Sequence, residues 1–195
     1  TGLQNSGGQA LATAMVVQFR AAAGAGPGVF AAGSDVEAGV ANKTYYGALG
    51  DLDGDGDLDL VTGNNAQVDK VYLGNGIGAF SAGSDVEAGV ALKTDVTVLG
   101  DLDGDGDLDL ITGNYNQVNK VYLGTGSGGF AAGSDVEAGV TNATWDMSLG
   151  DLDGDGDLDL ITGNRSGLNK VYLGNGSGAF AAGSNVDALN DDTYG

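Results

Sequence analysis

The chain has no cysteine, no histidine, a single proline, and only seven basic residues against 27 acidic ones. Without cysteine there is neither a disulfide framework nor a thiolate metal site. Without histidine, imidazole catalysis and the common zinc sites are excluded. No stretch approaches the roughly 18 apolar residues of a membrane span, and none sustains a helical period. A formal charge of −20 argues against nucleic acid and against insertion at anionic membranes. Scarce proline beside 38 glycines suits tight turns between short strands better than a disordered linker. The start, Thr1-Gly2-Leu3-Gln4, has neither an initiator methionine nor a basic leader and reads as a processed chain.

What is present is one stretch, Asp51-Leu52-Asp53-Gly54-Asp55-Gly56-Asp57-Leu58-Asp59-Leu60, repeated letter for letter at 101–110 and 151–160. Its three copies hold fifteen of the 27 acidic residues. Five carboxylates within nine residues repel one another unless a cation neutralises them. Asp at positions 1, 3, 5 and 9 sets hard oxygens on alternate residues of a curled loop. Gly56 at position 6 allows the sharp turn, and Asp57 at position 7 can offer its carbonyl. Calcium accepts roughly six to eight such oxygens in flexible geometry, whereas magnesium holds a stricter octahedron and keeps its waters. An EF-hand needs a Glu at position 12, where this chain has Thr62, Thr112 and Thr162. The run that follows, Leu58 to Thr62 closed by Gly63, is strand-like, so the loop is expected inside a β-hairpin.

The motif belongs to a longer repeat of 50 residues, 31–80, 81–130 and 131–180, and the first two units differ at 13 positions. Repeats of this length mark propellers, solenoids or arrays. Each unit offers four strand-like runs. In the first they are Thr44–Leu49, Leu58–Thr62, Lys70–Leu73, and, after an Asn75-Gly76 hairpin signal, Phe80–Val86. The expected fold is therefore all-β, a β-propeller of four-stranded antiparallel blades. Residues 1–30 keep the glycine register of a partial blade but place Thr1, Leu3, Asn5 and Gln9 at the ligand positions. Residues 181–195 form a closing or shared-strand segment. The single repeat domain 1–195 thus holds three full blades plus a degenerate fourth split between the termini. Either the termini close a ring or a strand comes from another molecule.

Joined to Val-Tyr-Leu-Gly-Asn-Gly-x-Gly-x-Phe, the Asp-x-Asp-Gly-Asp-Gly-x-x-Asp loop resembles the FG-GAP/VCBS repeat family, the calcium-binding blades of integrin α-subunit propellers and of many secreted microbial surface proteins. The resemblance implies that Asp51, Asp53, Asp55 and Asp59 hold Ca²⁺ through side chains and Asp57 through its carbonyl. It implies the same for Asp101, Asp103, Asp105, Asp107 and Asp109, and for Asp151, Asp153, Asp155, Asp157 and Asp159. Three calciums are expected, and the protein is expected to be extracellular.

With every clustered Asp assigned to metal and no nucleophile constellation, no enzyme is expected. The first functional expectation is a structural or adhesive module that assembles with copies of itself or with another surface protein. The alternative is a lectin that binds glycans where the repeats diverge: Tyr45/Tyr46, Asp95/Val96 and Trp145/Asp146 on the first strand, and Asn65, Tyr115 and Arg165 in the loop after the second. Of these, Tyr45, Asp95, Trp145, Tyr115 and Arg165 are the candidate ligand residues. Asn42, Asn142, Asn164 and Asn175 head N-glycosylation patterns.

Overall fold

The computed structural model describes residues 35–36 and 42–186. The chain divides after Asp35, and every element described here belongs to the unit that begins at Val36. The expected partial blade at 1–30 and the segment beyond Val186 lie outside the described residues.

Three four-stranded antiparallel sheets follow one another in tandem. The first contains β1 (Thr44–Gly50), β2 (Asp59–Asn64), β3 (Lys70–Tyr72) and β4 (Ser84–Asp85). The second contains β5 (Thr94–Gly100), β6 (Asp109–Asn114), β7 (Lys120–Tyr122) and β8 (Ser134–Asp135). The third contains β9 (Ala143–Gly150), β10 (Asp159–Ser166), β11 (Lys170–Tyr172) and β12 (Ser184–Asn185). Strand order within each sheet is sequential, so each chain reversal is a hairpin. The first hairpin pairs Gly50 with Asp59 and Leu60 with Leu49, which seats the acidic loop at the tip.

Two expectations need correction. The fourth strand was expected over Phe80–Val86, but only Ser84–Asp85 pairs along the ladder. Phe80 meets Gly74 in an isolated bridge, after which the chain lifts over the third-strand tyrosine. In the later sheets the Tyr122 and Tyr172 rings occupy the space where Cβ atoms of Gly133 and Gly183 would lie, so the main chain cannot continue the ladder there. The second strand also runs further than expected. Arg165 therefore lies on β10 and not in the loop behind it.

Alternation along the central strands divides the core. Leu110 and Ile111 are neighbours on β6, point to opposite faces, and are both fully buried. One face of the first sheet (Leu52, Val61, Val71, Val86) packs on Leu110 and Tyr122 of the second. The other face of the second sheet (Leu102, Ile111, Val121, Val136) packs on Met147, Leu160 and Tyr172 of the third. Burying each such aliphatic side chain stabilises the fold by roughly 1.5–3 kcal/mol before entropy is counted. The first strands β1, β5 and β9 also touch in succession, so the three sheets stack with their first strands side by side.

Candidate calcium centres and the opposite edge

Each acidic loop curls because its own carboxylates bind its backbone. Asp51 accepts hydrogen bonds from the Gly54 N–H (2.8 Å) and the Gly56 N–H (3.0 Å). Asp53 accepts from Asp55, and Asp55 from Asp57. Gly54 and Gly56 take φ of 74° and 88°, the left-handed region that glycine adopts without strain. The curl brings carboxylate oxygens of Asp51, Asp53 and Asp59 within 4.8 Å of one another, and likewise Asp101, Asp103 and Asp109, and Asp151, Asp153 and Asp159.

Position 9 has a second task. Buried Asp59 accepts from the Leu52 N–H (2.8 Å) and from the Gly74 N–H (2.7 Å), tying the loop to the glycine turn behind β3. Asp109 and Asp159 make the same pair of bonds. Burial raises the pKa of Asp59 and of Asp109, opposed by these two backbone donors and reinforced by the neighbouring loop carboxylates.

The remaining two positions stand apart from the triads. Asp55, Asp105 and Asp155 are not among the converging oxygens. The carboxylates of Asp57, Asp107 and Asp157 lie against Gly76, Gly126 and Gly176, where a Cβ would collide with them. That placement agrees with a carbonyl contribution at position 7. The donor set fits a hard divalent cation: three oxygens converge in each loop, and among the described residues the ion pairs are Lys70–Asp85, Lys93–Asp95, Lys120–Asp135 and Lys170–Glu137, none of which reaches a loop Asp.

The opposite edge of the sheets holds a feature that sequence reasoning missed. Thr44, Thr94 and Thr144 open the first strands, and each hydroxyl donates to the side-chain oxygen of the asparagine that faces it, Asn64, Asn114 or Asn164 (2.8, 3.0 and 2.8 Å). The asparagine amides donate onward to the carbonyls of Val68, Val118 and Leu168. Recurrence of Thr and Asn at the same place in each repeat was the available signal. Asn164 is buried within this network, so its glycosylation pattern is not accessible.

The network also bridges sheets. Asn119 donates to Thr144 (2.9 Å), while at the earlier junction Thr94 faces Asp69 (2.7 Å). Thr94 then has one proton for two acceptors, Asp69 and Asn114. Burial pushes the Asp69 carboxyl up to about 6, against the pull of its hydrogen bonds from Asn64 and Thr94.

Above this network the divergent residues meet. Tyr45, Asp95, Tyr115, Trp145 and Arg165 line one open cleft of about 450 Å³, joined by Lys93. Three of them reach it through β-bulges. Thr44 pairs with Asn64 and Tyr46 with Gly63, which leaves Tyr45 as the extra residue. Asp95 and Trp145 are the extra residues at the matching points of the other sheets. A bulge re-aims a side chain, and here it turns the three to one side.

The cleft's aromatic faces carry cations. Lys93 lies 3.4 Å from the Tyr115 ring centroid and 5.7 Å from that of Tyr45, and Arg165 lies 4.5 Å from that of Trp145. Asp95 sits 3.8 Å from Lys93 with one carboxylate oxygen buried and without a hydrogen bond. Burial raises its pKa, opposed by Lys93. Asn65 does not line the cleft; it pairs in a bridge with Lys93.

The sequence profile of the FG-GAP-like repeat matches residues 51–112 and 101–162. No curated protein matches the chain. Among solved structures, the chain is similar to a lectin of Agrocybe aegerita described for specific recognition of non-reducing terminal N-acetylglucosamine, at 24% identity and a TM-score of 0.52 over 74% of this chain. It also aligns with the V. cholerae biofilm matrix protein Bap1 at 18% identity and a TM-score of 0.45, again over 74% of this chain. The chain corresponds to 39% of the lectin and 21% of the biofilm protein. Among the described residues, no helix is long and apolar enough to cross a membrane.

Proposed function

The chain belongs to the FG-GAP-like repeat family, and from that membership we propose that it is a non-enzymatic, extracellular β-propeller module whose acidic loops each take one Ca²⁺ and whose copies assemble. The observation that carries this reading is the convergence of three carboxylates in each of three identical loops without a protein cation beside them. In each loop the Asp side chains at positions 1, 3, 5 and 9 would supply oxygens and the Asp at position 7 its carbonyl. For the first loop these are Asp51, Asp53, Asp55, Asp59 and Asp57. The ion would supply charge neutralisation and would pin the hairpin between the first two strands of each blade.

Three such ions would take the formal charge from −20 to about −14. Extracellular calcium modules bind at roughly 10⁻⁴–10⁻³ M, so these loops would fill outside a cell and stay largely empty in cytosol. Catalysis is not part of this reading, because the clustered carboxylates hold backbone N–H groups and one another's cation. Native mass spectrometry and calorimetric titration test it, with three Ca²⁺ per chain expected and one lost with each Asp→Ala change at position 1. A chain that takes up no calcium at millimolar concentration would reject it.

A second reading is favoured by the cleft, which unites the five divergent residues from three sheets. We propose it as a saccharide site. Lys93 and Arg165 cover the Tyr115 and Trp145 faces, which favours an acidic sugar held by charge over a neutral one held by stacking. The fold likeness to a lectin makes N-acetylglucosamine the neutral control. A glycan array on wild type and Trp145→Ala separates these cases. Binding to uronate- or sialate-bearing glycans that disappears in the variant is the expected result.

A further inference from the structure

The three sheets build one interface twice and leave its two halves exposed at the ends. At the first junction Leu52, Val61, Val71 and Val86 are no more than 6% exposed, and at the second Leu102, Ile111, Val121 and Val136 are buried to the same degree. The matching residues of the third sheet are Leu152, Ile161, Val171 and Val186. Leu152 is 50% and Val186 57% exposed, and the other two are only half-buried.

The complementary surface shows the same contrast. Leu99 and Leu108 of the second sheet close over Gly50, and Leu149 and Leu158 of the third close over Gly100, each within 3.0 Å of where a Cβ would be. A Cβ on Gly150 would meet nothing within 4 Å, and the first-sheet leucines that correspond to the closing pair, Leu49 and Leu58, are 59% and 43% exposed. One main-chain hydrogen bond also crosses each junction, from the Gly128 N–H to the Leu52 carbonyl (2.9 Å) and from the Gly178 N–H to the Leu102 carbonyl (3.0 Å). Among the described residues, the Gly78 N–H and the Leu152 carbonyl are the unmatched halves of the next such bond.

We infer that the third-sheet face of one copy, centred on Leu152, docks the first-sheet face of a second copy, centred on Leu49 and Leu58, by repeating the internal junction. Both halves are open in a single chain, so they do not meet within it. A second copy brings together surfaces whose fit the chain has already realised twice. Because the two faces differ, the contact is head-to-tail, and it closes into a ring or runs on as a filament according to its rotation. Clustered exposed apolar side chains of this kind mark association sites. The inference rests on the self-assembly part of the proposed function and names the surface that performs it.

Sedimentation equilibrium at saturating calcium tests it. Wild type is expected to form dimers or longer species whose mass rises with concentration. Leu152→Asp and Leu49→Asp, which each spoil one half, are expected to weaken association at least tenfold. Mixed together they should recover a dimer, since each keeps the half that the other lacks. Leu152→Ser and Leu49→Ser serve where an aspartate lowers the melting temperature. A calcium-loaded wild type that stays monomeric would overturn both self-assembly and this face while leaving the calcium loops intact. Oligomers indifferent to both substitutions would leave self-assembly standing and sink the face assignment, and failure of the mixture to recover would exclude a head-to-tail contact.

Discussion

The two edges of these sheets carry opposite chemistry on the same strands. At the hairpin tips the three loops are identical, exposed and acidic, with fifteen aspartates and no basic residue. At the other edge the exposed residues are Tyr45, Asp95, Tyr115, Trp145 and Arg165, different in every sheet, with Lys93 and Arg165 among them. Directly beneath that varied surface lie Thr44, Thr94 and Thr144 with their asparagine partners, which repeat without change. Position in the strand therefore does not decide what varies. Residues whose every polar atom is engaged are fixed from repeat to repeat, and the bulge residues, which turn away from the ladder into an open cleft, are free to differ.

The largest expected effect falls on the acidic edge alone. Removing calcium with EGTA should lower stability by about 4 kcal/mol if three sites are each filled tenfold over their dissociation constants. Thermal melting with and without chelator measures it, and an unchanged melting temperature would erase the distinction between the edges.

Next comes Asp109→Ala, measured with chelator present in both proteins so that metal plays no part. It strands the Leu102 and Gly124 N–H donors, and a loss of about 3 kcal/mol is expected in urea unfolding. A loss that appears only with calcium would mean that position 9 is a ligand and not also a clamp.

Asp69→Asn probes the buried layer at the other edge and should stabilise. The folded carboxyl sits near 6 and the unfolded one near 3.8. Its contribution is therefore fully present below pH 3.8 and is lost as pH rises through 6. An asparagine there, like Asn119, donates to its threonine at every pH. The gain should be on the order of 1–3 kcal/mol at pH 7 and should vanish by pH 4. The difference between variant and wild type at each pH removes the shared effect of proton competition at the loops.

The smallest effect is expected from Trp145→Ala, about 1 kcal/mol or less, since it gives up an exposed stacking contact with Arg165. Loss of glycan binding with little change in melting is the pattern a recognition edge should give.

Much of this was legible beforehand. The hairpin loops, the first and third strands and the four-strand count per repeat follow from side-chain alternation and glycine placement, which are local. The clustering of positions 1, 3 and 9 was equally legible, because a loop of nine residues folds on itself. The short β4 was not, because the cause is the Tyr122 ring lying over Gly133, a contact between residues eleven apart. Nor was the role of Lys93, which gains meaning only when Tyr115 from the neighbouring hairpin lies beneath it. The Asp69–Thr94 pair likewise joins residues from two sheets.

The sequence by itself determined the repeat, the strands and the acidic loops, since each is settled by bonds and sterics within a few residues. Tertiary structure alone decided which side chains of different repeats share a cleft, which polar atoms are shut away from water, and which apolar faces remain open. Those outcomes depend on how one sheet is stacked on the next. That stacking is governed by the summed packing of residues some fifty positions apart, a distance over which local preference carries no information.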